Sequence, residues 1–214
     1  MTTIAIDIQP QYRFSCMAAN ENRFLHHPEY IVDELNRQAR FADKRVLIEN
    51  VGSTAGVFCQ ECIEAPLNRS GLVFSQNRDN CRRNHLFTGL PSPADYDHVI
   101  ETDGDYRHGA CFHDTSELVS TGLLEWLRKN SADTVIIGGL ATEDAVTHTA
   151  QQLRYYSHRL HVIVNLSAGC GYTPETTLKA IRNLREQGIT VVTHSAEIPC
   201  LTESFSLNTL LKVS

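Results

Sequence analysis

Three cysteines and a histidine are closely spaced in the least regular part of the chain. Cys59, Cys62, Cys81 and His85 follow the pattern C-x2-C-x18-C-x3-H. Two thiolates this close in sequence can chelate one ion, and the complete set suits a tetrahedral structural zinc. The other interpretation is that these side chains never converge, because such spacings also arise by chance in loop-rich segments. The spacing therefore makes zinc a candidate ligand and leaves both interpretations open.

Carboxylates near two apolar runs could perform acid–base chemistry. Asp7 interrupts the run from Ile4 to Ile8, and Glu101 and Asp103 follow the run from Tyr96 to Ile100. When two carboxylates share one cleft, one pKa rises, so that one group stays protonated and can donate a proton. If the fold brings Asp7 together with Glu101 or Asp103, the two carboxylates would form such a pair. The alternative for Asp7 is a carboxylate that caps the exit of a strand.

A short strand, a glycine turn and a helix start follow one another after Asp133. Thr134 to Ile137 is an apolar, β-branched run that predicts a buried parallel strand. Two glycines allow a tight exit, and Thr142 is a good N-cap with acidic residues in the first helical turn after it. In α/β proteins such a turn is a common place for nucleophiles and for anion binding.

Strands and helices alternate along the rest of the chain. The pattern predicts helices from Pro28 to about Asp43, from Thr142 to about Tyr156, and from Thr173 to Gly188. Further strands are predicted at residues 45–48, 96–100, 160–164 and 190–192, and irregular segments at residues 11–27 and 52–95. This alternation predicts a three-layer α/β/α fold with a doubly wound, mainly parallel sheet, in a single domain over residues 1–214.

The composition restricts the class of protein. The chain has 214 residues, of which 42% are hydrophobic, enough for one sizeable core. A net charge of −6 disfavours nucleic acid or a membrane surface as a partner. The N-terminus enters an apolar run without a basic leader, and seven cysteines fit reduced thiols better than a disulfide framework. We therefore expect a cytoplasmic protein.

Two motifs resemble those of one known family. The run G-L-A-T-E-D-A-V from Gly139 to Val146 resembles G-[LIV]-A-T-x-x-C-V, the signature turn of the nicotinamidase/isochorismatase superfamily of cysteine hydrolases. It departs from that signature at the cysteine, which is Ala145 here. Asp7-Ile8-Gln9 resembles the family's D-x-Q, whose aspartate is the general base of the catalytic triad. The resemblance implies an isochorismatase-like, Rossmann-like fold.

The resemblance also implies roles for single residues. Family members hydrolyse amides through a thioester formed by an Asp–Lys–Cys triad. Here the lysine position falls on Glu101, or on Asp103 if Gly104 sets the register, and Arg107 is a candidate to supply the missing charge. The family's signature turn contains a cis peptide, which the match places between Leu140 and Ala141. In the family that bend lets the N–H groups corresponding to Ala141 and Ala145 form an oxyanion hole.

Without the cysteine and the lysine, amidase activity is expected to be absent, because losing one member of a cooperating triad costs about 10⁴–10⁶-fold in rate. Three functions remain open: acid-catalysed hydrolysis of a small metabolite using Asp7, binding of a small ring compound without turnover, and a role as an interaction subunit. The family's Asp-x-His metal motif is not preserved near Asp79 or at Glu49, so no cofactor is required. By resemblance we expect a homodimer or homotetramer that buries the apolar tail from Phe205 to Leu211.

Overall fold

A central parallel sheet organises the protein. The computed structural model describes residues 1–11, 29–51, 85–102 and 109–201. Within these ranges a six-stranded sheet has the order β3-β2-β1-β4-β5-β6, and each neighbouring pair is parallel. Its strands are β1 (Thr2–Ile8), β2 (Lys44–Asn50), β3 (His98–Thr102), β4 (Ala132–Leu140), β5 (His161–Cys170) and β6 (Thr190–Val192). The strand order reverses between β1 and β4, which is where open α/β sheets bind ligands.

Helices cover both faces of the sheet. The α-helices are α1 (Glu29–Ala39), α2 (Leu123–Lys129), α3 (Thr147–Tyr156) and α4 (Pro174–Glu186). A π-helical turn (Thr142–Val146) precedes α3, and 3-10 turns occupy Pro93–Asp95 and Ser195–Glu197. Helix α4 begins with a capping box between Thr173 and Thr176, and Gly188, with a φ of 74°, follows its last turn. Within the described ranges, no helix is long and apolar enough to cross a membrane.

The two faces of the sheet bury different sets of side chains. The larger apolar cluster joins alternate strand residues to helices α2, α3 and α4, with Ile6, Leu127 and Leu153 among its members. A smaller cluster packs α1 through Leu35 against Ala168 of β5. Helical layers on both sides of a parallel sheet confirm the predicted α/β/α, doubly wound architecture.

Strand β1 shows how alternation assigns side chains to a face. Ile4, Ile6 and Ile8 belong to the larger cluster, whereas Asp7 points to the other face and accepts a hydrogen bond from Gln38 of α1. Strands β1, β2, β4 and β5 are longer than the predicted runs, whereas β6 has the predicted bounds. Strand β3 has the predicted length but begins two residues later than predicted, at His98. Residues 12–28, most of the irregular segment at 52–95, and the tail after residue 201 lie outside the described residues.

Candidate active site

The signature turn, from Gly139 to Val146, covers the carboxyl end of β4 and the π-helical turn that precedes α3. Gly139 has a φ of 131°, and a Cβ there would clash with the backbone carbonyl of Ile8. Only glycine therefore lets β1 and β4 approach this closely. The peptide bond between Leu140 and Ala141 is cis, at the position that the resemblance implies. The carbonyl of Ala141 accepts hydrogen bonds from the N–H groups of Asp144 and Val146.

Ala145 is the residue that the motif match aligns with the family's nucleophile. Its side chain is 1% exposed and belongs to the larger apolar cluster, together with Ile8 and Val146. Its carbonyl accepts a 2.6 Å hydrogen bond from the Thr149 hydroxyl, one turn further along the helix. The position thus holds a methyl group in apolar packing, and it offers neither a nucleophile nor a polar surface.

Asp7 is a buried carboxylate held by donors from three separate parts of the chain. It is fully buried, and its Oδ2 accepts from Arg45 Nε at 2.8 Å and from the Tyr96 hydroxyl at 2.9 Å. Arg45 Nη2 lies 2.6 Å from the same oxygen, and Gln38 Nε2 donates to Oδ1 at 3.4 Å. Burial raises the pKa of the Asp7 carboxyl, and the Arg45 charge and the hydrogen bonds oppose that rise. The carboxylate is engaged in structure rather than presented to a cleft.

The Asp7 contacts continue as a polar network beneath α1. Gln38 Oε1 accepts a hydrogen bond from Asn165 of β5, and Asn165 also donates to Glu34. Glu34 in turn accepts from the backbone N–H of Ser195. Burial acts to raise the pKa of Glu34, but its hydrogen bonds together outweigh burial and lower that pKa. The network therefore joins β1, α1, β5 and the turn after β6.

Asp7 and Ala145 have different surroundings among the described residues. Asp7 faces α1, whereas Ala145 packs into the cluster on the opposite face with Ile6 and Ile8. The motif match assigns both residues to one catalytic group, but the period-two alternation of β1 directs the carboxylate away from the signature helix. The donors to Asp7 are the side chains of Gln38, Arg45 and Tyr96, so its contacts also differ from those of a carboxylate that caps a strand exit.

The carboxyl edge of β1, β2 and β3 carries a set of polar side chains. Gln9 has a φ of 47° and its Nε2 donates to the Thr102 hydroxyl at 3.5 Å, so its side chain crosses towards β3. Gln11 is fully buried, accepts from the Asn50 N–H at 3.0 Å and donates to the Asn50 carbonyl at 3.3 Å. The Oε1 of Gln9, a residue that is 3% exposed, has no hydrogen-bond partner among the described residues.

Two carboxylates lie side by side on neighbouring strands, and they belong to Glu49 and Glu101. Glu49 of β2 is aligned with Glu101 of β3, whereas Asp7 is aligned through Leu47 with Val99. Burial, and secondarily the charge of Glu101, raise the pKa of Glu49. Glu101 itself is exposed. Glu49 is therefore the described carboxylate that is aligned with Glu101.

Other predicted site residues fall at or beyond the limits of the described chain. Asp103 and Arg107 lie outside the described residues, as do Cys59, Cys62 and Cys81 of the proposed zinc site. The remaining candidate ligand, His85, is exposed. Within the described ranges, no group of three or more histidine, cysteine, aspartate or glutamate side chains could hold a metal. The residues described at the end of β2, Glu49 followed by Val51, do not fit the family's metal motif.

Sequence reasoning misses the partners of Asp7. The apolar pattern places Arg45 only in a strand and Tyr96 only at the start of another. Gln38 follows Leu35 by three residues and Glu34 by four, which places all three on the buried face of α1. Polar residues at helical spacing on an apolar face are the available signal for a buried network.

A family model and a known protein each match part of this chain. An isochorismatase domain model matches residues 91–196. Nicotinamidase/pyrazinamidase from Mycobacterium tuberculosis is 33% identical over 119 residues, which cover 52% of this chain and 62% of that protein. The match therefore spans less than two thirds of the relative's length.

Solved structures resemble this fold over most of its length. PnC1 from L. infantum, in complex with nicotinate, has a TM-score of 0.61 at 18% identity and covers 89% of this chain and 92% of its own. A nicotinamidase from Acinetobacter baumanii has a TM-score of 0.62 at 17% identity, with coverages of 92% and 98%. Pyrazinamidase of Pyrococcus horikoshii, in complex with zinc, has a TM-score of 0.57 at 20% identity, with coverages of 90% and 99%. At these identities the likeness shows the fold alone.

Proposed function

The chain belongs to the isochorismatase/nicotinamidase-like superfamily, and we propose that within it this protein lacks cysteine-dependent amidase activity and binds a small ring compound without hydrolysing it. One observation carries the proposal: the residues that the motif match assigns to the catalytic aspartate and cysteine are both absorbed into packing. Asp7 is bound by Arg45 and Tyr96, and Ala145 lies in the apolar cluster of the opposite face.

The loss of amide hydrolysis follows from the missing sulfur. A thioester mechanism needs a thiolate at the N-terminus of the signature helix, and the Ala145 methyl group cannot attack a carbonyl. Asp7 could not compensate as a general base, because its carboxylate oxygens already accept from Arg45, Tyr96 and Gln38. Geometry within hydrogen-bond reach of a reacting group is the first requirement of a general base.

Retained binding is supported by the polar carboxyl edge. The buried Oε1 of Gln9 has no partner among the described residues, and an unsatisfied buried acceptor costs about 1–3 kcal/mol. A ligand N–H would satisfy it, and the carboxyl edge of the strands is where open parallel α/β sheets bind ligands. The names of the relatives specify nicotinamide, pyrazinamide and nicotinate. We therefore propose a heteroaromatic carboxamide or its acid as the ligand class.

The test measures binding and turnover on the same samples. Nicotinamide and pyrazinamide should give saturation-transfer NMR signals with the wild-type protein but no release of ammonia. Gln9→Ala should weaken the signals, whereas Asn183→Ala, which removes an exposed amide from α4, should leave them unchanged. Ammonia release by the wild-type protein would refute the loss of hydrolysis, and unchanged binding by Gln9→Ala would refute the role of this edge.

A second function, acid-catalysed hydrolysis of a small metabolite, is favoured by Glu49. Burial, and secondarily the charge of Glu101, raise the pKa of Glu49, which is the direction that an acid catalyst needs. Glu49 takes the place that the sequence assigns to Asp7. Hydrolysis of a vinyl ether that Glu49→Gln abolishes and Asp7→Asn leaves intact in folded protein would support this function over simple binding.

Further features of the proposal rest on composition and on the relatives. We also propose a structural zinc held by Cys59, Cys62, Cys81 and His85. The zinc complex of the P. horikoshii pyrazinamidase is a precedent for zinc in this fold. The net charge of −6 supports a cytoplasmic protein that binds neither nucleic acid nor membranes. A homodimer or homotetramer completes the proposal, and neither candidate function requires a cofactor.

A further inference from the structure

A cleft of about 550 Å³ lies on the outer side of α3. Its described walls come from α3, from the segment of residues 109–117, and from Gln187 after α4. Its volume falls within the roughly 300–1,000 Å³ of small-molecule sites. Neither Asp7 nor Ala145 is among the described residues that line it, so the inference does not rest on the function proposed above.

Glu117 is the charged centre of this cleft. Its Oε1 accepts a 2.9 Å hydrogen bond from Gln152 Nε2, and its Oε2 accepts a 2.8 Å hydrogen bond from the Tyr156 hydroxyl. The orientation of the Gln152 amide is fixed, because its Oε1 accepts from the backbone N–H of Cys111 at 3.2 Å. The carboxylate is therefore held in one position by neighbours whose own orientation is set.

The backbone presents Glu117 in an unusual conformation. Its φ is 55°, in the left-handed region that few residues other than glycine adopt. Asp114 stabilises this turn, since its Oδ1 accepts from the N–H groups of Leu118 and Val119 at 3.0 and 2.9 Å. Strain of this kind persists where surrounding contacts over-determine it, and it is frequent at ligand clamps.

The cleft combines negative charge with aromatic faces. Among its described lining residues there is no lysine or arginine, and both donors to Glu117 are neutral. The rings of Tyr155 and Tyr156 lie edge to face with centroids 4.9 Å apart, and Tyr155 is 70% exposed. A carboxylate beside an accessible tyrosine ring complements a planar organic cation, which can pair with the first and stack on the second.

We propose that this cleft binds a small guanidinium compound, with Glu117 accepting its N–H groups and the ring of Tyr155 stacking on its plane. Each carboxylate oxygen of Glu117 accepts one hydrogen bond from the protein and keeps a further lone pair for the ligand. A guanidinium matches this arrangement better than an ammonium, because its fork reaches both oxygens at once.

The experiment titrates the full-length protein with N-ethylguanidinium, ethylammonium and the neutral isostere N-ethylurea, followed by amide chemical shifts. N-ethylguanidinium should bind with a dissociation constant on the order of 1 mM, shifting residues around Glu117, and N-ethylurea should not bind measurably. Ethylammonium should bind more weakly than the guanidinium. Equal binding of all three compounds, or none by the guanidinium, would overturn the proposal.

Variants separate the site from nonspecific charge effects. Glu117→Gln should weaken N-ethylguanidinium binding at least about tenfold, and Tyr155→Ala, at an exposed position, should weaken it about threefold or more. Glu125→Gln removes the same charge from α2, outside the cleft, and should bind like wild type. Tyr155→Ala does not change the strained turn at Glu117. It therefore still tests the site if Glu117→Gln fails to fold. Wild-type affinity in either variant would contradict it.

Discussion

The Asp7 carboxylate and the Ala145 methyl group lie on opposite faces of one parallel sheet. Asp7 faces α1, where Arg45 and Tyr96 hold it, and Ala145 packs among the apolar side chains beneath α2, α3 and α4. In a cysteine hydrolase the corresponding aspartate and cysteine act together. Here Asp7 and Ala145 lie in separate structural environments within the same fold.

The Arg45–Asp7 ion pair should stabilise the fold strongly. Arg45→Met leaves an uncompensated carboxylate at a fully buried position, and we expect a loss of about 3–5 kcal/mol in the free energy of unfolding. Arg37→Met breaks a matched ion pair with Glu34 whose arginine side chain is 58% exposed, and should cost less than about 1 kcal/mol. Urea denaturation of both variants measures the difference.

The double variant Asp7→Asn with Arg45→Met completes that prediction. Arg45→Met alone leaves the Asp7 charge unpaired, and the double variant removes that charge. The double variant should therefore lose less stability than the sum of the two single losses. Additive losses would mean that the two side chains do not interact as the 2.6 Å contact indicates.

Glu101→Gln should lower the pKa of Glu49, since it removes the like charge that helps to raise it. A raised pKa in the folded state means that stability from Glu49 is present below its unfolded pKa and is lost as pH rises through the folded pKa. As the pH rises from the unfolded to the folded pKa of Glu49, the Glu101→Gln variant should therefore lose less stability than the wild-type protein. Carboxyl NMR titration measures the shift, with the exposed Glu125→Gln as a control that leaves the pKa of Glu49 unchanged.

How much the sequence predicts depends on the kind of signal. The strands and layers follow from apolar runs and helical periodicity, because burial of the core depends on those patterns. The cis position at Leu140 comes from the motif alone. The partners of Asp7 were not predicted, since Arg45 and Tyr96 are 38 and 89 residues away and meet it only through the pairing of strands. Contacts between residues so far apart in the chain leave no local pattern at Arg45 or Tyr96.

Metal analysis tests the cysteine–histidine set. If Cys59, Cys62, Cys81 and His85 converge, purified protein should contain about one zinc per chain, and chelation should lower its thermal stability. Cys62→Ser should lose the metal, whereas Cys200→Ser, which changes an exposed cysteine outside the set, should retain it. Metal-free wild-type protein with unchanged stability would exclude the site.

Light scattering tests association. We expect a dimer or tetramer at micromolar concentration, with the apolar tail from Phe205 to Leu211 buried between subunits. Phe205→Asp should shift the population towards monomer, and Leu178→Asp, at a position of α4 that is 53% exposed, should not. A wild-type monomer at this concentration would contradict the prediction.

The most direct test of the central claim is the amidase rate of Ala145→Cys compared with wild type. The introduced thiol would lie in apolar packing, where burial raises a cysteine pKa as it does for Cys111. It would also lack Asp7, which is bound on the other face. We predict no ammonia release from nicotinamide by either protein, and slow alkylation of the introduced thiol relative to that of Cys200, measured by mass spectrometry. Turnover of nicotinamide by Ala145→Cys would show that a working catalytic site surrounds this position, and would contradict the account.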